Sequence, residues 1–452
     1  MSVDKKKNLR TILALAWPTM LEQLMQTAVQ YIDLAMVGVL GTAATAAIGS
    51  TTTVNWLVNS SVSAIGIGFL AYIAKALGAE DKEKAARASA QSVFITLIIG
   101  FILTAITLSL SGLVPVWMQV DENIRPLAST YFFIIYLPML PRAATTVFST
   151  VLRASGDTKT PMQNGIVVNS LNVVLNFIMI YPERTVDIFG HQVKLYGMGL
   201  GVTGAAIASA IAFTVGGVLI TVSLWKSPVV SPRHQRLLPD KNIILPCMRV
   251  AIPNMLQRVG TCLGYVAFAS MINSLGEIST AAHTIANTVE SAFYIPGYGM
   301  QTASATLAGN ALGAKDRELL KVTSRQILFI EILLMIFSGG LLFIFAPQMM
   351  NLFTSDATVI ALGAIVLRMV AVSEPFFGIS IVLEGMMQGM GKTARPLIYN
   401  LIGMWGIRII GTFICTQMMH MGLASAWICM IAHNLFLCGA YLVFWYGKKN
   451  KI

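Results

Sequence analysis

The block ALGAEDKE at residues 76–83 recurs as ALGAKDRE at residues 311–318, 235 positions further along the chain (311 − 76 = 235). Two more pairs of blocks share that offset: AWPTML at 16–21 with AIPNML at 251–256, and GDTKTP at 156–161 with GKTARP at 391–396. Three pairs do not fall into one register by chance, and self-similarity at a fixed offset is typical of a duplicated structural unit. The sequence therefore predicts two copies of one fold in a single chain.

Composition places both copies in a membrane. Hydrophobic residues make up 56% of the 452 residues and charged residues only 11%, against about 25% charged residues in ordinary soluble domains. Apolar runs long enough to cross a hydrocarbon core about 30 Å thick as helices follow one another along the whole chain. The predicted fold class is an all-α integral membrane protein with twelve transmembrane helices, near residues 11–38, 45–75, 87–113, 124–152, 160–181, 198–225, 243–273, 279–310, 323–346, 356–388, 396–418 and 420–446.

The basic residues follow membrane topology. A formal net charge of +11 could suggest a nucleic-acid partner, but the Lys and Arg residues lie mainly in short connections between the apolar runs. With a cytoplasmic N-terminus, the outside loops and their edges hold only Arg125, Arg184 and Lys194, as expected from the positive-inside rule. We therefore expect no nucleic-acid partner and a multi-pass protein of the plasma or inner membrane, with both termini in the cytoplasm.

The repeat also predicts the domain organisation. Residues 1–224 would form an N-lobe of spans 1–6, residues 225–242 a basic cytoplasmic linker, and residues 243–452 a C-lobe of spans 7–12. Because six is even, both lobes enter the membrane from the same side and form parallel repeats. In transporters, such repeats place a substrate site in a central cavity and open it to alternate sides of the membrane.

Polar residues in span 1 lie on one stripe. At about 100° per residue, Glu22, Gln26 and Asp33 fall within roughly 40° of one another on a helix. In span 5, Asn172 and Asn176 are similarly aligned, and their amides offer both oxygen and nitrogen atoms. A carboxylate that faces amides can hold a proton or a small cation, so Asp33 is the main candidate for ion binding; a structural hydrogen bond between helices is the alternative.

The second half carries its ionisable residues elsewhere. In span 8, His283 and Glu290 share one helical face, and Glu374 in span 10 directly precedes a proline. These residues and Glu22 are secondary candidates for binding protons or substrate, whereas salt bridges with Arg258 and Arg408 are the structural alternative.

Two further motifs concern mechanics and chemistry. Pro18 in span 1 removes a backbone hydrogen bond and permits a hinge, with a static kink as the alternative. GMMQGMGKT at 385–393 has five residues between Gly385 and Gly391, where a phosphate-binding loop needs four. We find no other nucleotide loop, no metal-spaced His/Cys cluster and no nucleophile motif in the sequence, so we predict a transporter without cofactor or nucleotide, not an enzyme.

The sequence resembles the multidrug and toxic compound extrusion (MATE) family over nearly its whole length. The segments that carry the resemblance are WPTMLEQLMQTAVQYIDLAMVG (17–38), the two ALGA blocks, VLRASGDTKTPM (151–162), LNVVLNFIMI (171–180) and GLGVTGAAIAS (199–209). The resemblance implies export of amphiphilic, often cationic compounds in exchange for protons or sodium ions by alternating access of the two lobes. It assigns coupling-ion binding to an N-lobe site and bending to a proline in span 1, and these roles map to Asp33, Asn172, Asn176, Ser209, the weaker member Gln26, and Pro18.

Some relatives have an aspartate where Asn176 stands and a threonine where Ser209 stands, so Asp33 is the one strong acid of this cluster. A sodium ion at Asp33 would be the only metal ion we expect, and we expect a monomer. A flippase for a lipid-linked precursor shares the architecture in a wider superfamily and is the alternative function. Such a cavity should carry several basic residues, and here only four lie deep enough: Arg142, Arg258, Arg368 and Arg408.

Overall fold

The computed structural model describes residues 4–188 and 191–447, and most of them are helical. The helices are α1 (Lys5–Gly38), α2 (Thr42–Gly78), α3 (Lys82–Ser109), α4 (Val114–Trp117), α5 (Arg125–Tyr136), α6 (Met139–Ala154), α7 (Lys159–Ile180), α8 (Gly201–Lys226), α9 (Lys241–Asn273), α10 (Glu277–Gly313), α11 (Arg317–Asn351), α12 (Ala357–Gly389), α13 (Ala394–Leu401), α14 (Ile410–Phe413) and α15 (Leu423–Tyr446). Ile402–Ile409 and Ile414–Met418 are π-helical and join α13, α14 and the residues after them into one long segment.

Twelve membrane-length segments match the twelve predicted spans. Within the described ranges, nine segments are long and apolar enough to cross a membrane, and the α5–α6 pair passes the same test together. The remaining two are α1 and α10, whose 34 and 37 residues are long enough but include more polar side chains. The predicted all-α membrane fold is confirmed.

Two local features were not predicted. The fourth span bends by 51° between α5 and α6, because Pro138 lacks the N–H that would continue the helix. The connection between spans 5 and 6 contains an antiparallel hairpin of β1 (Pro182–Ile188) and β2 (His191–Met198). Arg184 and Lys194, expected in an outside loop, lie in this hairpin.

Packing divides the chain into two compact units. The first unit comprises Met1–Gln23, Leu70–Asp81 and Leu245–Ile452, and the second comprises Leu24–Phe69 and Lys82–Ile244. The first part of α1 and the last part of α2 therefore pack with the C-terminal half of the chain. The division into lobes at 1–224 and 243–452 stays a prediction, since it follows the repeat and not these packing units.

In the first unit, the ends of α2 and α10 cross at two glycines that are repeat mates (313 − 78 = 235). A Cβ atom at Gly78 would overlap the backbone carbonyl of Asn310, and a Cβ atom at Gly313 would overlap the backbone carbonyl of Lys75. Lys75 and Asn310 are themselves repeat mates (310 − 75 = 235), so the crossing is symmetric. Close backbone approach explains why both ALGA blocks carry glycine.

Two glutamines that are also repeat mates (326 − 91 = 235) anchor chain segments in the two units. In the second unit, Gln91 of α3 donates to the carbonyl of Leu238 at 2.8 Å and accepts from the backbone N–H of Asp240 at 3.0 Å. In the first unit, Gln326 of α11 donates to the carbonyl of Lys5 at 2.9 Å and accepts from the amide of Asn8 at 2.7 Å. Each glutamine thus holds the segment that leads into the first span of the other half.

Candidate functional site

Small residues bring α8 close to α7 in the second unit. A Cβ atom at Gly204 would overlap the backbone carbonyl of Met179, and one at Gly216 would lie 2.6 Å from a methyl group of Val168. Without side chains at these glycines, the two helices approach closely enough for short polar side chains to meet. At the Gly204 end of this interface, directly after α7, the Tyr181 hydroxyl donates to the carbonyl of Met36 at 3.0 Å and fixes α1 beside α7.

Four of the predicted coupling residues meet where these three helices pack. The Asn176 amide donates to Asp33 Oδ1 at 2.7 Å and to Asn172 Oδ1 at 3.2 Å, and the Asn172 amide donates to Ser209 Oγ at 3.1 Å. Asn172 and Asn176 are buried, with 7% and 2% of their surface exposed, and Asp33 is partly buried. The network therefore links α1, α7 and α8 through a carboxylate, two amides and a hydroxyl.

The Asn172 amide can take two orientations beside the carboxylate. If the Asn172 amide is rotated by 180°, its nitrogen lies 3.1 Å from both Asp33 oxygens and its oxygen accepts from Ser209 Oγ. In the first orientation, the buried Asn176 Oδ1 has no hydrogen-bond partner within the described chain. Amides that can present either oxygen or nitrogen suit a carboxylate that changes between charged and neutral forms.

The other predicted residues of α1 have surroundings that differ from those of Asp33. Gln26 is exposed, and no hydrogen bond joins it to the Asp33 network in the described residues. Glu22 belongs to the part of α1 that packs in the first unit. Pro18 is buried inside α1, which continues through it. The adjacent Thr19 hydroxyl donates to the carbonyls of Ala16 at 2.8 Å and Gly299 at 2.9 Å.

Three buried glutamates lie on neighbouring helices of the first unit. Glu290 on α10, Glu331 on α11 and Glu374 on α12 are 5%, 0% and 1% exposed. Glu374 interacts electrostatically with the other two. Both carboxylate oxygens of Glu331 and of Glu374 lack hydrogen-bond partners within the described residues. An acid buried in this way is costly unless it carries a proton or meets a cation.

Glu331 was not among the predicted site residues, although the sequence contains a signal for it. It is the one charged residue of the apolar run ILFIEILLMIF at 327–337, and an acid within a membrane span is a functional candidate by default. Its Oε1 would lie 2.7 Å from a Cβ atom at Gly297 and 2.9 Å from one at Gly378. These two glycines leave the space into which the carboxylate fits.

The arginines of the second half do not form the salt bridges that were considered as an alternative. Within the described residues, no ion pair involves Arg258 or Arg408. Arg258 donates to Asn254 Oδ1 at 2.9 Å, and Arg408 lies over the rings of Phe268 and Tyr265, 4.1 Å and 4.8 Å from their centroids. Arg408 therefore makes cation–π contacts with two aromatic rings.

Two other polar residues of this unit have structural surroundings. His283 packs edge-on against Phe268 and Trp427, with ring centroids 5.5 Å and 5.8 Å apart. Glu384 accepts four hydrogen bonds, whose donors are Gln257 at 2.8 Å, Gln388 at 2.9 Å, Tyr441 at 3.2 Å and Asn400 at 3.3 Å. Glu384 is thus fully partnered, in contrast to Glu331 and Glu374.

The MatE family model matches residues 18–178 and again residues 253–414. The two matches begin 235 positions apart (253 − 18 = 235), which is the offset of the internal repeat. The chain belongs to the MatE family. MatE proteins are membrane transporters, and the resemblance found in the sequence is confirmed.

Individual relatives of this MatE protein extend over almost the whole chain. It is 28% identical to "Probable multidrug resistance protein NorM" of Thermotoga maritima over 97% of its own length and 92% of that protein's. It is 25% identical to the human "Multidrug and toxin extrusion protein 1" over 97% of its own length and 75% of the human protein's. A solved structure described as "MATE in complex with MaL6" has the same fold, with a TM-score of 0.88 at 23% identity over 96% of this chain and 95% of that one.

Within the described residues, no group of three or more His, Cys, Asp or Glu side chains is arranged to hold a metal ion. The Asp33 network contains side-chain oxygen atoms of one carboxylate, two amides and one hydroxyl. Hard cations such as sodium prefer oxygen ligands of this kind.

Proposed function

We propose that this MatE-family protein exports amphiphilic, often cationic compounds as protons or sodium ions enter down their gradient. The observation that carries the proposal is the hydrogen-bonded network of Asp33 with Asn176, Asn172 and Ser209. A lone carboxylate in a network with two amides of α7 and a hydroxyl of α8 is suited to bind and release a cation. The names of the relatives, which refer to multidrug resistance and toxin extrusion, support small organic compounds as the exported substrates.

The chemistry of the coupling step follows from the two states of Asp33. When Asp33 is ionised, it accepts hydrogen bonds from the amide nitrogens of Asn176 and Asn172. When Asp33 binds a proton, its hydroxyl can donate to an amide oxygen. Asn176 Oδ1 has no hydrogen-bond partner within the described residues, so it can accept this hydrogen bond. A sodium ion would draw on the same oxygens together with Ser209 Oγ. Either cation therefore changes which amide atoms face α1.

A change at Asp33 can alter the position of α1 because Pro18 interrupts the backbone hydrogen bonds of that helix. Asp33 lies in the part of α1 that packs with α7 and α8, whereas Pro18 lies in the part that packs with α10. We propose that cation binding bends α1 between Pro18 and Asp33 and so opens the substrate cavity to alternate sides of the membrane. The protein works as a monomer in the plasma or inner membrane, with both termini in the cytoplasm.

Transport in proteoliposomes tests the proposal directly. Vesicles containing the purified protein and a fluorescent cationic dye would receive a pH gradient and a sodium gradient separately. We expect dye movement to follow one gradient and to stop when an ionophore dissipates it. If neither gradient moves the dye, antiport at Asp33 is the wrong mechanism.

We propose that the buried glutamates of α10, α11 and α12 form a second proton-binding cluster. We expect Glu331, a member of this cluster, and Glu384, a hydrogen-bonded acid outside it, to respond differently to substitution. Glu331→Gln removes an unpartnered buried carboxylate, so stability should change by less than about 1 kcal/mol or increase. Glu384→Gln weakens a network of four hydrogen bonds, two of them from Gln257 and Gln388, and should lower stability by about 2 kcal/mol. Thermal unfolding in detergent measures the contrast.

Transport by the same two variants separates functional from structural roles. Glu331→Gln should slow gradient-driven efflux despite its stable fold, whereas the Glu384→Gln protein that remains folded should transport at close to the normal rate. Normal efflux by Glu331→Gln would remove that residue from the cluster.

A further inference from the structure

A groove of about 720 Å³ runs between the first turn of α1 and the start of α11 in the first unit. Four basic residues and one acid supply its charge, and an aromatic ring lies at one end. The main lining residues are Lys5, Arg317, Glu318, Lys321, Arg325 and Phe329.

The protein neutralises only part of the positive charge of this groove. Within the described residues, no carboxylate lies within ion-pair distance of Lys5 or of the three basic residues of α11. Glu318 offsets one charge of the four. The groove therefore carries an excess of about three positive charges and attracts an anionic group.

The basic residues of α11 follow one face of the helix. Arg317, Lys321 and Arg325 are spaced four residues apart, and each step of four turns the side chain by only about 40°. At the same spacing, Phe329 and Leu333 follow Arg325 and are 64% and 51% exposed. Because the steps of about 40° add up, this row winds gradually around the helix. A helix face that changes from basic to exposed apolar residues matches the passage from lipid headgroups to acyl chains.

Hydrogen bonds join the two helix segments that line the groove. The Asn8 amide donates to Thr323 Oγ1 at 3.0 Å and to Gln326 Oε1 at 2.7 Å, and Gln326 donates to the carbonyl of Lys5 at 2.9 Å. Asn8 and Thr323 are buried. The start of α1 is therefore fixed against α11, and the basic side chains extend from a supported backbone.

The repeat shares only the start of the basic stripe, because the repeat mate of Arg317 is Lys82 (317 − 235 = 82). The repeat mates of Lys321 and Arg325 are Ala86 and Ala90 of α3 (321 − 235 = 86 and 325 − 235 = 90), and Ala90 is fully buried. The repeat mate of Gln326 is Gln91, which binds the linker backbone. The halves thus share the backbone anchor, but the basic residues that continue the stripe at Lys321 and Arg325 belong to the C-terminal half.

We propose that this groove binds the phosphate headgroup of an anionic phospholipid. Lys5, Arg317, Lys321 and Arg325 surround the phosphate, and an acyl chain lies along Phe329 and Leu333. Each basic residue close to a membrane surface strengthens attraction to anionic lipid severalfold, so four of them select anionic over zwitterionic headgroups. The proposal does not depend on the coupling ion or on the exported substrate.

Native mass spectrometry of the purified protein with defined phospholipids tests the site. We expect phosphatidylglycerol to bind at least tenfold more tightly than phosphatidylcholine, and the double variant Lys321→Gln/Arg325→Gln to lose most of that difference. Both substituted side chains are exposed, so the variant should remain folded. The matched control Lys82→Gln/Lys84→Gln removes the same charge at the start of α3 and should bind phosphatidylglycerol like the unmodified protein.

Three results would overturn the proposal. The first is equal binding of the two phospholipids by the unmodified protein. The second is an equal loss in the control variant, which would mean that overall charge and not this groove selects the lipid. The third is displacement of phosphatidylglycerol by millimolar inorganic phosphate, which would assign the groove to a soluble anion.

Discussion

Asp33→Asn is expected to abolish gradient-driven efflux and to leave a folded protein in the membrane. Asparagine has nearly the shape of aspartate and can still hydrogen-bond to Asn176, so the contact between α1 and α7 should survive. It cannot take up a proton and carries no charge to attract a sodium ion. Dye efflux from proteoliposomes should fall to the level of protein-free vesicles under both imposed gradients.

Substitution of an aspartate outside the site controls for the loss of one carboxylate. Asp121→Asn changes an exposed loop aspartate whose Oδ1 accepts from the backbone N–H of Asn123, and it should transport at close to the normal rate. Asp33→Asn protein should also elute as a single species in detergent and unfold within a few degrees of the unmodified protein. Normal efflux by this variant would contradict the assignment of coupling to Asp33.

Helical periodicity was sufficient to predict the main residues of the candidate site. The spacing of Asn172 and Asn176 places both on one face of span 5, and the structure brings that face to Asp33. The contact with Ser209 came from the resemblance and not from periodicity, because no local pattern tells which face of one span meets another. Glycines 204 and 216 allow that approach, but their partners, Met179 and Val168, are visible only in three dimensions.

The same limit applies to the polar residues of the second half. The sequence contains acids and arginines at membrane depth, so salt bridges were a reasonable alternative. Arg408 instead lies over two aromatic rings, and Glu374 has no hydrogen-bond partner within the described residues. Pairing depends on which side chains face each other across helices, and a single sequence does not contain that information.

Gly78→Ala and Gly313→Ala should each destabilise the protein far more than the size of one methyl group suggests. Each added Cβ would meet a backbone carbonyl across the α2–α10 crossing, at Asn310 and Lys75 respectively. A backbone atom cannot rotate away as a flexible side chain can, so the two helices must separate. Overpacking of this kind costs about 1–3 kcal/mol, and thermal unfolding in detergent should show it as a clear decrease in the unfolding temperature.

Each variant has a control at a glycine in a membrane-length helix where an added Cβ atom would meet no other atom. Gly49 in α2 and Gly340 in α11 have no atom within 4 Å of an added Cβ, so Ala at these positions should be neutral or should stabilise the helix by up to about 1 kcal/mol. Because the crossing is symmetric, Gly78→Ala and Gly313→Ala should lower the unfolding temperature to a similar extent. In the proposed topology, the crossing joins the cytoplasmic ends of two spans, so we also expect both variants to lose efflux. Gly78→Ala protein that is as stable and as active as Gly49→Ala protein would show that close contact at this crossing is not required for the fold or for transport.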